Sequence, residues 1–77
     1  METKSYIFDN RIRIKLNGEF FSCSTNFSIA NLIDYLDFQS EKVILEHNSK
    51  LVHSNEFHQS FLKDGDNVEI VTIVGGG

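Results

Sequence analysis

The sequence predicts an α+β domain in which a mixed sheet of four to five strands packs on one main helix. Residues 12–16 alternate between apolar and basic side chains and lead into Asn17-Gly18, which is typical of a strand that ends in a tight turn. An amphipathic helical pattern follows at 29–36, and a nearly unbroken apolar strand covers 68–74. This order of elements favours a sheet wrapped around a single helix.

The first two strands form a predicted β-hairpin. Asn17-Gly18 supplies the two positive-φ residues of a type I′ turn, and a two-residue turn fixes which residues of the strands face each other. Ile14 is then opposite Phe21, and both point towards the helix. Phe20 has the opposite parity, so we expect it to lie exposed on the other face of the sheet.

The predicted helix begins at Ile29, with Ser28 as its N-cap. Its apolar side chains recur at the spacing of one helix face: Ile29, Leu32, Ile33 and Leu36. A single stripe of this kind covers one face of a sheet.

The segment after the helix is less regular. Residues 43–45 and 51–52 are predicted strands joined by a polar turn. Residues 53–62 are compatible with a loop or with one or two helical turns, and the sequence leaves both open. Asp64-Gly65-Asp66 is a turn signal, and we expect its two carboxylates to accept local backbone hydrogen bonds.

The last strand is expected to lie next to the first. Val68 and Ile70 share the parity of the helix side, so Val71 and Ile73 fall on the outer face together with Phe20. Phe20, Val71 and Ile73 are therefore the predicted docking face for a partner protein. The alternative is that they are ordinary isolated apolar residues of a protein surface.

Three segments are expected along the chain. Residues 1–11 form an N-terminal extension that is loosely ordered, residues 12–74 form the folded domain, and residues 75–77 form a flexible Gly-Gly-Gly tail.

Length and charge argue against several classes of function. A chain of 77 residues is too short to enclose a pocket within a shell of catalytic groups, so we do not expect an enzyme. The net charge is −4 and the cations are scattered, which disfavours nucleic acid and membrane partners. Without a signal-peptide pattern, we expect a reducing, soluble compartment, either the cytoplasm or the plastid stroma.

The side chains that commonly carry chemistry do not form a recognised site, and we predict no catalytic or metal-binding residue. His47, His53 and His58 lack the spacing of a zinc site and are expected to be exposed to solvent. Cys23 faces inward by the hairpin parity, and a buried thiol without a basic neighbour is inert.

Three sequence stretches together resemble one protein family. They are Ile-Lys-Leu-Asn-Gly at 14–18, Leu-Lys-Asp-Gly-Asp-Asn-Val-Glu-Ile at 62–70 and Val-Gly-Gly-Gly at 74–77. In this order and spacing the chain resembles, over residues 12–77, the ThiS family of sulfur carriers in thiamine thiazole synthesis. It departs from the family pattern at His53, where proline is common, at Phe57, where tryptophan is common, and in its N-terminal extension.

The resemblance implies a ubiquitin-like β-grasp fold and a function at the C-terminus. In such carriers an E1-like adenylyltransferase of the ThiF type adenylates the terminal carboxylate, here Gly77, using ATP and Mg²⁺. A cysteine-desulfurase-type donor supplies sulfur, and the resulting thiocarboxylate delivers it to a thiazole synthase of the ThiG type. Gly75 and Gly76 would thread into the partners' active sites, and the carrier itself would hold no cofactor.

Three other functions remain open from the sequence. A carrier for molybdopterin synthase would share the fold and the glycine end but tends to have a longer middle region than 43–66. A ubiquitin-like modifier would use the same activated Gly77 to form isopeptide bonds. A plain β-grasp interaction module would use no tail chemistry at all.

Overall fold

Five strands form one mixed sheet, and one α-helix lies across one of its faces. A computed structural model of the chain describes residues 10–73. The elements are β1 (Arg11–Leu16), β2 (Glu19–Ser24), α1 (Ile29–Tyr35), a first 3-10 helix (Ser40–Lys42), β3 (Val43–His47), β4 (Lys50–Val52), a second 3-10 helix (Ser54–Gln59) and β5 (Asn67–Thr72). The strand order is β2-β1-β5-β3-β4. The predicted mixed sheet on one main helix is confirmed.

The β1–β2 hairpin has the predicted register. Ile14 pairs with Phe21, and Lys15 pairs with Phe20. Asn17 and Gly18 have φ values of 51° and 85°, as the type I′ turn requires. Because the register is set by the turn, Ile14 is buried and Phe20 is exposed on the opposite face.

Strand β5 lies in the middle of the sheet. It runs parallel to β1, with Lys15 opposite Asn67, and antiparallel to β3, with Leu45 opposite Ile70. The prediction that the first and last strands are adjacent in the sheet is therefore confirmed. The strand ends at Thr72, and Val74, where we expected it to end, lies outside the described residues.

Helix α1 is fixed at its start by a reciprocal cap. The hydroxyl of Ser28 accepts a hydrogen bond from the backbone N–H of Asn31 at 3.0 Å, and the side-chain oxygen of Asn31 accepts one from the N–H of Ser28 at 3.0 Å. The apolar stripe of the helix packs on the sheet to form the core. The buried apolar residues are Ile14, Cys23, Ile29, Leu32, Ile33, Leu45, Phe57, Leu62, Val68 and Ile70.

The segment that the sequence left undecided contains a 3-10 helix. Phe57 projects from this helix into the core and is only 1% exposed. Two backbone hydrogen bonds connect the end of this segment to the residues at the start of α1. Ile29 N–H donates to the carbonyl of Ser60 at 2.8 Å, and Leu62 N–H donates to the carbonyl of Phe27 at 2.9 Å. These long-range bonds fix the position of the residues that follow the helical turns, and the local spacing of apolar residues does not reveal them.

Asp66 fastens the β3–β4 turn to the segment before β5. Its carboxylate accepts hydrogen bonds from His47 Nε2 at 2.6 Å, Asn48 Nδ2 at 3.1 Å and Lys63 N–H at 2.8 Å. Two expectations are corrected here. His47 is mostly buried rather than exposed, and the carboxylate of Asp66 makes more than local backbone contacts.

Asp64 also departs from the expected local bonding. Its Oδ1 accepts a hydrogen bond at 2.8 Å from the backbone N–H of Arg13, far away in the sequence. The turn signal itself is confirmed, since Gly65 has a φ of 88°.

We predict that Asp66→Asn lowers the free energy of unfolding by about 1–2 kcal/mol at neutral pH, because the three hydrogen bonds to the carboxylate lose its negative charge. Burial opposes ionisation of Asp66, but the hydrogen bonds from His47, Asn48 and Lys63 outweigh it and lower the pKa below 3.8. The folded-state pKa is then below the unfolded value, so this stabilisation is present above pH 3.8 and is lost as the pH falls through the folded pKa.

Urea unfolding of both proteins across this pH range measures the effect. The difference in free energy of unfolding between wild type and Asp66→Asn should disappear at acidic pH. Asp34→Asn, which removes an exposed carboxylate from α1, is the control for lost negative charge. A difference in free energy of unfolding that does not change with pH would contradict the role of the ionised carboxylate.

Candidate functional site

The face of the sheet turned away from α1 carries the predicted docking residues. Phe20, Val71 and Ile73 are 64%, 61% and 47% exposed. Val68 and Ile70, which alternate with Val71 along the chain, are buried beneath α1. The parity argument from the sequence therefore gave the right face for all three residues, while their role in docking stays a prediction.

The structure divides these three residues between two regions. Val71 is directly opposite Ile44 of β3, and Ile73 donates its N–H to the carbonyl of Lys42 at 2.7 Å. Phe20 lies on β2 at the level of Lys15 and Asn67. Since Asn67 precedes Val71 by four residues on β5, Phe20 lies well away from the end of that strand.

Two further exposed apolar residues complete the region around Val71. Ile44 is 48% exposed and Leu51 is 55% exposed. Leu51 is opposite Glu46, which makes it a diagonal neighbour of Ile44. We call Ile44, Leu51, Val71 and Ile73 the outer apolar cluster.

Sequence reasoning missed Ile44 and Leu51. The run Val43-Ile44-Leu45 is apolar throughout, so no alternation shows which residue points outward. Pairing it with the final strand would have shown the outward direction, because Ile44 shares its face with Val71 in the antiparallel register.

Phe20 belongs to a basic region of the same face. The guanidinium carbon of Arg13 lies 4.2 Å from the centroid of the Phe20 ring, and the ammonium nitrogen of Lys15 lies 5.6 Å from it. Both are cation–π distances. The exposed ring is thus covered in part by cations, and its surroundings differ in charge from those of Val71.

The side chain of Asn17 holds β5 beyond the end of β1. Its Oδ1 accepts a hydrogen bond from Ile70 N–H at 2.8 Å, and its Nδ2 donates to the carbonyl of Ile70 at 3.2 Å. Its backbone N–H donates to Val68 at 2.9 Å. Asn17 was predicted only as a turn residue. Its side chain also replaces the strand pairing that β1, which ends at Leu16, no longer provides.

The predicted chemical end of the chain, Gly75, Gly76 and Gly77, lies outside the described residues. Ile73 is the last described residue and follows directly on β5. The described part therefore places the outer apolar cluster next to the point where the chain continues towards Gly77.

The remaining candidate groups show no assembled site. Cys23 is buried, and burial raises the pKa of its thiol despite the opposing charge of Arg11. Within residues 10–73, no three His, Cys, Asp or Glu side chains are grouped to hold a metal ion. No helix in this part of the chain has the length and hydropathy needed to cross a bilayer.

We predict that Asn17→Gly lowers the free energy of unfolding by about 1–2 kcal/mol, because it deletes both side-chain hydrogen bonds to Ile70. Glycine tolerates the positive φ at this position, so the turn itself is preserved. Hydrogen exchange should become faster at the Ile70 amide. The amide of Leu45 on β3 is the internal reference, and equal acceleration at both sites would contradict a local clamp.

Comparisons with known proteins agree with this architecture. Residues 14–77 match the model of the ThiS family. The crystal structure of a thiamine biosynthesis protein (ThiS) from Geobacter metallireducens has a TM-score of 0.73 and 28% identity, and the match covers 86% of this chain and 100% of that one.

Two relatives extend the comparison. Protein ycf40 of Porphyra purpurea is 46% identical over 71 residues, which cover 92% of this chain and 100% of the relative. A thiazole synthase of Paramagnetospirillum magneticum is 33% identical over 66 residues, which cover 86% of this chain but only 20% of that longer protein. The family match spans most of the sequence and the fold agrees with it, so the chain belongs to the ThiS family and has its ubiquitin-like β-grasp fold.

Proposed function

We propose that this protein is a sulfur carrier of thiamine biosynthesis whose reactive group is the C-terminal carboxylate of Gly77. The observation that carries the proposal is the extent of the family match, which continues through the glycine end to the last residue. The structural similarity to a thiamine biosynthesis protein supports the same pathway.

The chemistry proceeds in three steps. The Gly77 carboxylate attacks the α-phosphorus of ATP on an E1-like, ThiF-type adenylyltransferase, which releases pyrophosphate and leaves an acyl-adenylate. A persulfide sulfur, supplied by a cysteine-desulfurase-type donor, then attacks the acyl carbon and displaces AMP. A second thiol cleaves the resulting acyl disulfide, which leaves a thiocarboxylate on the carrier and a disulfide on the donor side.

The partners supply ATP and Mg²⁺ binding, and the carrier supplies a substrate group rather than catalysis. A glycine end suits this role, because residues without Cβ pass through a narrow channel and accept extended or positive-φ conformations. Gly75 and Gly76 would thread into the partner's active site. Tethering the sulfur delivers it to the acceptor at a fixed position instead of by diffusion.

A thiazole synthase is the proposed acceptor. The chain resembles part of two proteins named thiazole synthase, from Paramagnetospirillum magneticum and Magnetococcus marinus, in each case over 20% of their length. A carrier-like segment within the acceptor's own polypeptide favours the thiazole pathway over molybdopterin synthase. The compartment we propose is the cytoplasm or the plastid stroma, and the relation to ycf40 supports the stroma.

The docking surface we propose includes Val71 and Ile73, as part of the outer apolar cluster, and Phe20 at its far side. The cluster lies beside the end of β5, so a partner that holds the glycine end in its active site also covers these exposed side chains. Exposed apolar area next to the reactive end provides the buried surface that a short tail lacks.

The carrier role predicts a change in intact mass. After incubation with the ThiF-type adenylyltransferase, ATP, Mg²⁺ and a persulfide donor, the protein should become heavier by the difference between one sulfur and one oxygen atom. Deletion of Gly77 should abolish this species and cause thiamine auxotrophy in cells. Unmodified mass under these conditions would contradict the carrier role and favour an interaction module, whereas attachment to lysines of other proteins would indicate a modifier.

The docking role predicts that Val71→Ser weakens binding to the adenylyltransferase by about tenfold, because a central apolar contact is lost. Stability should change by less than about 1 kcal/mol, because Val71 is exposed in the free protein. Tyr35→Ser removes an equally exposed side chain from α1 and serves as the matched control. Equal losses of affinity in both variants, measured by calorimetry, would contradict a specific role for this face.

A further inference from the structure

Two carboxylates lie within the outer apolar cluster. Glu46 of β3 and Glu69 of β5 are directly opposite each other, and both are exposed. Glu69 shares its face with Val71, Glu46 shares its face with Ile44, and Leu51 is opposite Glu46. The pair is therefore flanked by exposed apolar side chains on three sides.

This arrangement is unfavourable in the free protein. The Cβ atoms of directly opposite residues are about 5 Å apart, and like charges at such positions destabilise a sheet. Among the residues from 10 to 73, neither carboxylate has a Lys, Arg or His nitrogen within 4.0 Å. Two like charges thus lie side by side on the sheet, and no ion pair among residues 10–73 involves either of them.

We propose that the outer apolar cluster docks a surface of the activating adenylyltransferase that places an arginine or lysine side chain on Glu46 and Glu69. This inference rests on the proposed carrier function and adds the chemistry of the partner's surface. A cation between the two carboxylates removes their repulsion, and a planar guanidinium has donors for both. Apolar contacts around the pair exclude water and strengthen the attraction.

The charge on the rest of the face fixes the orientation of this partner. Arg13 and Lys15 beside Phe20 make the end of the face away from the exit of β5 positive, whereas Glu46 and Glu69 lie between that end and the pair Ile44 and Val71. A uniformly basic partner surface would be repelled at Arg13 and Lys15. The complementary surface therefore places its cation between apolar groups that cover Ile44 and Val71 and acidic or neutral groups that face Arg13 and Lys15.

The test is a set of neutral variants titrated against the ThiF-type adenylyltransferase of the same organism. Glu46→Gln/Glu69→Gln should weaken binding by about tenfold and reduce its dependence on salt. The same double variant should melt about 2 °C higher than wild type, because the repulsion is gone. Asp34→Asn removes one charge on the opposite side of the molecule and should leave affinity and salt dependence unchanged.

The outcomes separate this inference from the carrier role. At saturating adenylyltransferase, wild type and double variant should both acquire the thiocarboxylate mass. Equal affinities with the thiocarboxylate formed on both would overturn the cation-docking inference alone, whereas no thiocarboxylate on wild type would overturn the carrier role. Weaker binding with a lowered melting temperature would also overturn the inference, since damage to the sheet would then explain the loss.

A second copy of the chain is the competing occupant, because the face carries both basic and acidic side chains. Sedimentation of the wild-type protein distinguishes this case. A dimer that dissociates on Glu69→Lys substitution would assign the face to self-association and overturn the docking of a partner's cation.

Discussion

Pairing of β5 on both of its edges is the constraint on which the rest of the structure depends. It runs parallel to β1 and antiparallel to β3, so within the described sheet this strand joins the β1–β2 hairpin to the β3–β4 hairpin. Its inward residues, Val68 and Ile70, lie beneath α1, while its outward residue Val71 and the following Ile73 form half of the outer apolar cluster. One strand therefore joins the core, the exposed face and the segment that leads to the chain end.

The carboxylates of Asp66 and of the pair Glu46 and Glu69 differ in their hydrogen bonding. Asp66 accepts three hydrogen bonds and fastens the turn between β3 and β4 to the segment before β5. Glu46 and Glu69 face each other on the open side of the sheet without such donors among residues 10–73. The carboxylate that stabilises the fold is thus hydrogen-bonded within the domain, whereas the pair on the exposed face is the one for which we propose a cation of the partner.

Much of the fold was predictable because its signals are local. Asn17-Gly18 fixes the hairpin register, and Ser28 followed by an apolar stripe marks the helix. The second 3-10 helix, by contrast, is followed by two backbone hydrogen bonds across the fold, from Leu62 N–H to the carbonyl of Phe27 and from Ile29 N–H to the carbonyl of Ser60. The spacing of apolar residues along the sequence does not reveal such bonds.

The candidate site was predictable to a similar degree. Alternation along the last strand placed Val71 and Ile73 on the outer face, but an all-apolar run concealed Ile44. The bond between His47 and Asp66 was also out of reach, because it joins residues that become neighbours only when β3 and β5 pair.

The burial of Cys23 has a consequence for the selectivity of sulfur transfer. In the proposed transfer from a persulfide, any accessible thiolate of the carrier would undergo thiol exchange with the donor. Cys23 is the only cysteine of the chain, and it is 4% exposed with a raised pKa because of burial. In the proposed transfer, Cys23 would therefore not compete with the chain end for sulfur, and each molecule would carry one sulfur atom.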